Sequence, residues 1–106
     1  MDTYLGEFEQ LVLLAIVRLG EDATGGAVRQ AVADGSRRTV WIGAVHTTLD
    51  RLELKGLVRS RVIPPDDAHQ RRRKIYGLQP KGHAAIEHAY RTWVRMTRGL
   101  KPKLES

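Results

Sequence analysis

Four consecutive cations, Arg71, Arg72, Arg73 and Lys74, form the densest charge run in this chain of 106 residues. Guanidinium and ammonium groups in an extended segment can follow phosphates, and an Arg can also enter a narrow minor groove. The competing reading is an ordinary solvated hairpin tip. A second set, Ala44, His46, Thr47, Thr48, Arg51 and Lys55, lies away from the apolar stripe Val45, Leu49 and Leu52. Thr hydroxyls and a neutral imidazole can donate or accept, and a Thr methyl can meet a thymine methyl, so His46, Thr47 and Thr48 could read base edges, though with a weak code. Arg51 and Lys55 lie further along and suit phosphate. A polar, solvated helix face is the alternative here. Other chemistry is poorly provided for. His46, His69, His83 and His88 fall on different segments, His83 and Glu87 make only an i, i+4 pair, and there is no Cys. With no Gly-rich phosphate loop, no Ser/His/Asp set and no paired buried carboxylates, neither enzyme, metal nor cofactor is expected.

Charge distribution points the same way. Residues 1–54 carry five basic and eight acidic side chains, net −3, whereas residues 55–106 carry thirteen basic and four acidic, net +9. The sequence pI is near 10.2. Clustered Lys and Arg at such a pI fit a polyanion binder, nucleic acid first and anionic membrane second. The longest apolar run, Leu11 to Val17, is seven residues, against about 18 for a membrane span, and acidic residues precede it where an export signal would be basic. A cytoplasmic protein is expected, without a membrane partner. The absence of Cys excludes a disulfide scaffold and fits a reducing compartment.

These residues need elements to position them. Leu5, Phe8, Val12, Ala15, Ile16 and Leu19 follow helical spacing, and Leu11, Leu13, Leu14 and Val17 fill much of the remaining circumference. A central, heavily buried first helix ending at Gly20 follows. Thr24 is the expected N-cap of a second helix through about Asp34, turning Ala27, Val28, Ala31 and Val32 inward. The run Thr39, Val40, Trp41, Ile42 is strand-like, and Trp41 is expected to pack in the core or at the domain edge. Gly43 leads into a third helix through about Lys55, capped by Gly56. The period then changes from 3.6 to 2: Leu57, Arg59, Arg61 and Ile63 alternate with Val58, Ser60 and Val62, and Lys74 to Leu78 return after a turn-rich stretch. A final helix starts at Pro80 and runs to about Arg98. On it Ile86, Tyr90, Trp93, Thr97 and Leu100 recur at alternating steps of four and three, the repeat of a helix packed against a partner, most simply its own copy. Trp93 is read first as an anchor of that interface. The fold expected is mainly α with a small β-hairpin wing: a winged helix-turn-helix over residues 1–79 and a C-terminal dimerisation helix with a short tail over 80–106.

Three stretches carry a family resemblance: Leu5-Gly6 to Leu19-Gly20, the block Gly43-Ala44-Val45-His46-Thr47-Thr48-Leu49-Asp50-Arg51-Leu52 running on to Gly56-Leu57-Val58, and Tyr76-Gly77-Leu78-Gln79-Pro80-Lys81-Gly82. Together they resemble the PadR-like winged helix-turn-helix transcriptional regulators over nearly the whole chain, and the single C-terminal helix is similar to that of the short subfamily, whose members dimerise through it. The family usually has Tyr, implicated in contacts to the DNA backbone, where His46 stands, and many members read Arg-Leu-Thr-Pro where this chain has Gly77-Leu78-Gln79-Pro80. The resemblance implies a repressor. It also implies, from some multidrug-binding members, that Trp93 and its symmetry mate could flank a pore for a small aromatic effector.

The function expected is a homodimeric, sequence-specific regulator on double-stranded DNA. Two third helices would enter successive major grooves of a pseudo-palindromic operator, about 34 Å apart. A sequence-tolerant, nucleoid-like DNA binder and a protein-interaction module for an acidic partner are the alternatives.

Overall fold

The computed structural model describes residues 4–106. Helix α1 spans Glu7–Leu19, followed by one 3-10 turn at Gly20–Asp22; α2 spans Gly25–Ser36 and α3 Ile42–Leu54. The hairpin strands are β1, Val58–Ile63, and β2, Arg73–Leu78, and two helices close the chain, α4 at Pro80–Thr97 and the single turn α5 at Lys101–Leu104. The architecture is mainly helical with one two-stranded antiparallel sheet, a winged helix-turn-helix.

Local chemistry sets most boundaries. Gly20 ends α1 with φ 56°, a conformation that costs a side-chain-bearing residue more than glycine. The Thr24 hydroxyl accepts from the Ala27 amide at 3.1 Å and so caps α2. Pro80 opens α4, where a missing amide hydrogen costs nothing. The core joins the three helices, the hairpin and α4: Val12, Leu13 and Ile16 of α1, Val28 and Val32 of α2, Val45, Leu49 and Leu52 of α3, then Leu57, Val58 and Tyr76 in and beside the hairpin and Ile86 of α4. Each fully buried Leu contributes on the order of 2 kcal/mol of apolar transfer.

Three expectations need correction. Thr39–Ile42 forms no strand: only Val40 is buried, the segment has no pairing partner, and Ile42 already belongs to α3. The extended preference of these residues is spent on the turn and on Trp41, the extended N-cap of α3 (φ −85°, ψ 138°). Trp41 is 75% exposed rather than packed. The hairpin finds its third neighbour elsewhere, through a bridge between Thr24 and Ile75 and a hydrogen bond from the Tyr76 amide to the Ala23 carbonyl at 2.9 Å. Finally, α1 is not covered all round. Leu14 and Val17 remain 45% and 55% exposed because no layer of this subunit lies over them.

The start of α4 is packed into the winged helix rather than appended to it. A Cβ at Gly82 would overlap the Leu57 carbonyl oxygen, which itself accepts from the Gln79 amide at 2.9 Å. Only glycine lets the two backbones approach this closely.

Candidate nucleic-acid interface

Helix α3 turns Val45, Thr48, Leu49 and Leu52 inward. Its outermost row is therefore Gly43, Thr47, Asp50 and Leu54, all exposed at steps of four, three and four. Ala44 and Arg51 lie exposed on one flank of that row and His46 on the other. The His46 ring sits against the first turn of α2, where a Cβ on Gly25 would come 2.8 Å from its Cε1. His46 thus stands at the junction of the two helices of the helix-turn-helix, with part of its ring free.

Two residues of the expected recognition set are turned away. Thr48 is 5% exposed, because its position three after Val45 and four before Leu52 puts it inside the apolar stripe. Lys55 reaches back to α1 instead of outward: its ammonium donates to Glu9 at 2.8 Å. Glu9 is buried, and its second carboxylate oxygen accepts from the Gly6 amide at 3.1 Å. Burial pushes the Glu9 carboxyl up, but the Lys55 and Gly6 hydrogen bonds, with the charges of Lys55 and Arg51, outweigh that and hold it below its ordinary value of 4.5. Lys55 is a structural cation.

The wing is tied to α3 through Glu53, whose carboxylate accepts from both the Ser60 amide at 3.2 Å and the Ser60 hydroxyl at 2.9 Å. Register then sorts its charges. Lys74 is opposite Val62 and shares the face of Ser60 and Tyr76, next to α3. Arg59 and Arg61 lie on the other face, where Arg61 pairs with Glu21 at 2.5 Å. Burial raises the Tyr76 hydroxyl pKa, and the carboxylates of Asp50 and Glu53 on α3 add to the effect.

Of the four-cation run, Arg71, Arg72 and Lys74 are exposed and no ion pair engages them among the described residues. Arg73 is different. It folds back on the wing loop with its guanidinium 3.6 Å from Asp66. The His69 amide donates to Asp66 at 2.7 Å and holds its carboxyl below the usual range, so the loop has an anionic anchor of its own. Three of the four cations in the run are free of ion pairs among the described residues.

On α4 the expected partner stripe is divided. Ile86 is buried in the subunit's own core and is unavailable to a second copy. Tyr90, Trp93 and Thr97 are exposed, and Leu100 is half-buried beyond the end of α4. The Trp93 indole N–H donates to Gln10 of α1 at 3.0 Å, beside an open groove of about 380 Å³ floored by Leu5, Ala85, His88 and Ala89.

A helix-turn-helix with an exposed second helix and a cationic hairpin beside it is the architecture of a DNA-binding transcription regulator rather than of an enzyme. Residues 13–88 match the transcriptional regulator PadR-like family, and the chain belongs to that family. Solved structures agree on the fold. A PadR family transcription regulator from Clostridium difficile R20291 superposes with TM-score 0.77 at 22% identity, covering 93% of this chain and 99% of that one. A PadR-like transcriptional regulator from Bacillus cereus gives 0.75 at 18% identity, with 93% and 92% covered. A winged-helix DNA-binding protein of the virus STIV gives 0.70 at 14%, with 92% and 98% covered. No protein of curated function matches the chain. None of the helices over the described residues is long and apolar enough to cross a membrane.

Proposed function

We propose that this PadR-family regulator acts in the cytoplasm as a homodimeric repressor, binding a pseudo-palindromic duplex site with α3 in the major groove and the wing on the flanking phosphates. The observation that carries this reading is an exposed row on α3 with a cationic hairpin fastened beside it. Thr47, Arg51 and part of His46 are exposed on α3, Lys74 is exposed on the hairpin face that abuts α3, and exposed Arg71 and Arg72 precede it in the wing. Small and hydrogen-bonding groups on the helix with cations at its border divide the work as duplex recognition requires, base edges for sequence and phosphates for position.

Dimerisation is supported by apolar surface. By helical spacing Gln10, Leu14 and Val17 share one side of α1, and Gln10 holds Trp93 of α4. Exposed Leu14 and Val17 on α1 and exposed Tyr90, Trp93 and Val94 on α4 thus leave apolar surface on two neighbouring helices. A patch of this kind on a chain this small fits a self-complementary two-fold interface. The groove beside Trp93 would lie at the edge of that interface and suits a flat aromatic effector. Repression is the family's habit carried to this chain.

Footprinting on the DNA upstream of the protein's own gene, followed by competition against random duplex, tests the reading. A preference of about 10³-fold or more for the protected site is expected. Equal affinity for random duplex would replace the specific regulator by a sequence-tolerant DNA binder, a reading that the acidic Asp50 and aliphatic Leu54 in the outer row keep in view. No duplex binding at moderate salt would leave the basic half to an acidic protein partner.

A further inference from the structure

Trp41 has no part in the interface described so far, yet it stands at the end of α3 that enters a groove first. It is the N-cap of that helix, and its successor Ile42 is also exposed. The preceding residue, Val40, is buried, and its carbonyl accepts from the Arg29 guanidinium at 3.4 Å. That anchor pins the entering segment on one side. In an extended chain successive side chains alternate, so fixing Val40 inward holds the Trp41 indole outward. Its exposure is a consequence of the turn's construction.

The surroundings say what an indole in this place would meet. Of the two cations that precede it, Arg38 pairs with Glu7 at 3.0 Å and exposed Arg37 has no ion pair among the described residues, so the approach keeps one free positive charge, which favours a polyanion over an apolar protein surface. The outer row of α3 offers Gly43, Thr47, Asp50 and Leu54, among which no Arg, Lys, Asn or Gln is present to make a bidentate contact to a purine. Apolar contact then adds to the hydrogen bonds of Thr47 and His46 as a source of discrimination. The floor of the major groove presents one apolar group, the thymine 5-methyl.

We propose that Trp41 is a specificity-determining residue whose indole covers thymine 5-methyl groups in each half-site. This rests on the assignment of α3 as the groove-entering helix, and the test separates the two. Two versions of the footprinted fragment are needed, one with thymine and one with deoxyuridine throughout the half-sites, which differ by the methyl alone. Burying one methyl changes affinity about four-fold, so one contact per subunit gives about fifteen-fold tighter binding of the thymine duplex by the unaltered dimer. Trp41→Ala should lose at least that factor on the thymine duplex, should not distinguish thymine from uracil, and should bind random duplex as the unaltered chain does. Because the side chain is exposed, its melting temperature should not move, and circular dichroism checks this.

A Trp41→Ala chain that keeps the thymine preference, or binds the thymine duplex undiminished, would overturn the proposal while leaving α3 as the DNA-reading helix. If the unaltered protein shows no preference for its upstream site over random duplex, the assignment of α3 falls and Trp41's role falls with it.

Discussion

Cations of equal formal charge have unequal fates in this molecule. Lys55 neutralises a buried carboxylate, Arg73 clasps its own loop, and Arg71 and Arg72 remain in solvent. Removing each should therefore read out differently. Arg71→Ala with Arg72→Ala should lower the slope of log affinity against log salt by about 1.8 per subunit and leave thermal stability unchanged. Lys55→Met should do the reverse: the slope stays, while stability falls by about 1–2 kcal/mol because Glu9 is left buried without its partner, the pair being partly screened at the lysine end. Glu9 also predicts acid behaviour. Its folded-state pKa lies below the unfolded value, so the carboxylate adds stability above about pH 4.5, and that share is lost as pH falls through the lowered value. Glu9→Gln should accordingly lower the melting temperature at pH 7, and by progressively less as pH falls below about 4.5, in a pH series of thermal melts. The sequence showed the charge run but not these fates, since Glu9 and Lys55 are 46 residues apart and only folding brings them together. Thr48 was a legible case: the helical wheel that placed Val45, Leu49 and Leu52 inward carries Thr48 with them.

Helix boundaries were the most readable elements, because Gly20, Thr24, Gly56 and Pro80 each have a local physical reason to stop or start a helix. The run Thr39–Ile42 misled for an equally physical reason. β-branched and aromatic residues favour extended backbone, but a strand also needs a neighbour, and the hairpin's free edge was taken by Thr24. Gly82 shows what spacing cannot show. In the sequence it reads as an ordinary glycine in the first turn of a helix, whereas in the fold it is the contact between α4 and the Leu57 backbone. Gly82→Ala should destabilise the protein by about 2 kcal/mol, since the obstacle is backbone and cannot rotate away. A fall of roughly 10 °C in melting temperature is the expected observation. A melt unchanged within a degree would mean that α4 can shift freely, against the tight packing described.

At the scale of the molecule, the unused apolar surface is the informative quantity. Leu14 and Val17 looked like core residues because a helix apolar on all sides is buried on all sides in a larger protein. In this small subunit they are exposed on α1, as Tyr90 and Trp93 are on α4. Leu14→Glu should convert the proposed dimer to a folded monomer, seen as a halved mass by light scattering with an unchanged far-ultraviolet spectrum. Its affinity for a two-half-site fragment should drop steeply, while affinity for a single half-site stays near that of the unaltered subunit. The hairpin's fastening sets a limit on regulation as well. It is held to α3 through Glu53 and Ser60 and to the α1–α2 connection through Tyr76 and Ala23, so helix and wing travel as one block. In the proposed dimer, a distant signal then acts most simply by moving one such block relative to the other. Within a dimer the molecule then behaves as a caliper, with fixed jaws and an adjustable gap. An effector that weakens binding on the natural operator should strengthen it on some operator whose half-sites have been moved apart or together by a base pair, so that induction becomes co-repression through the DNA alone.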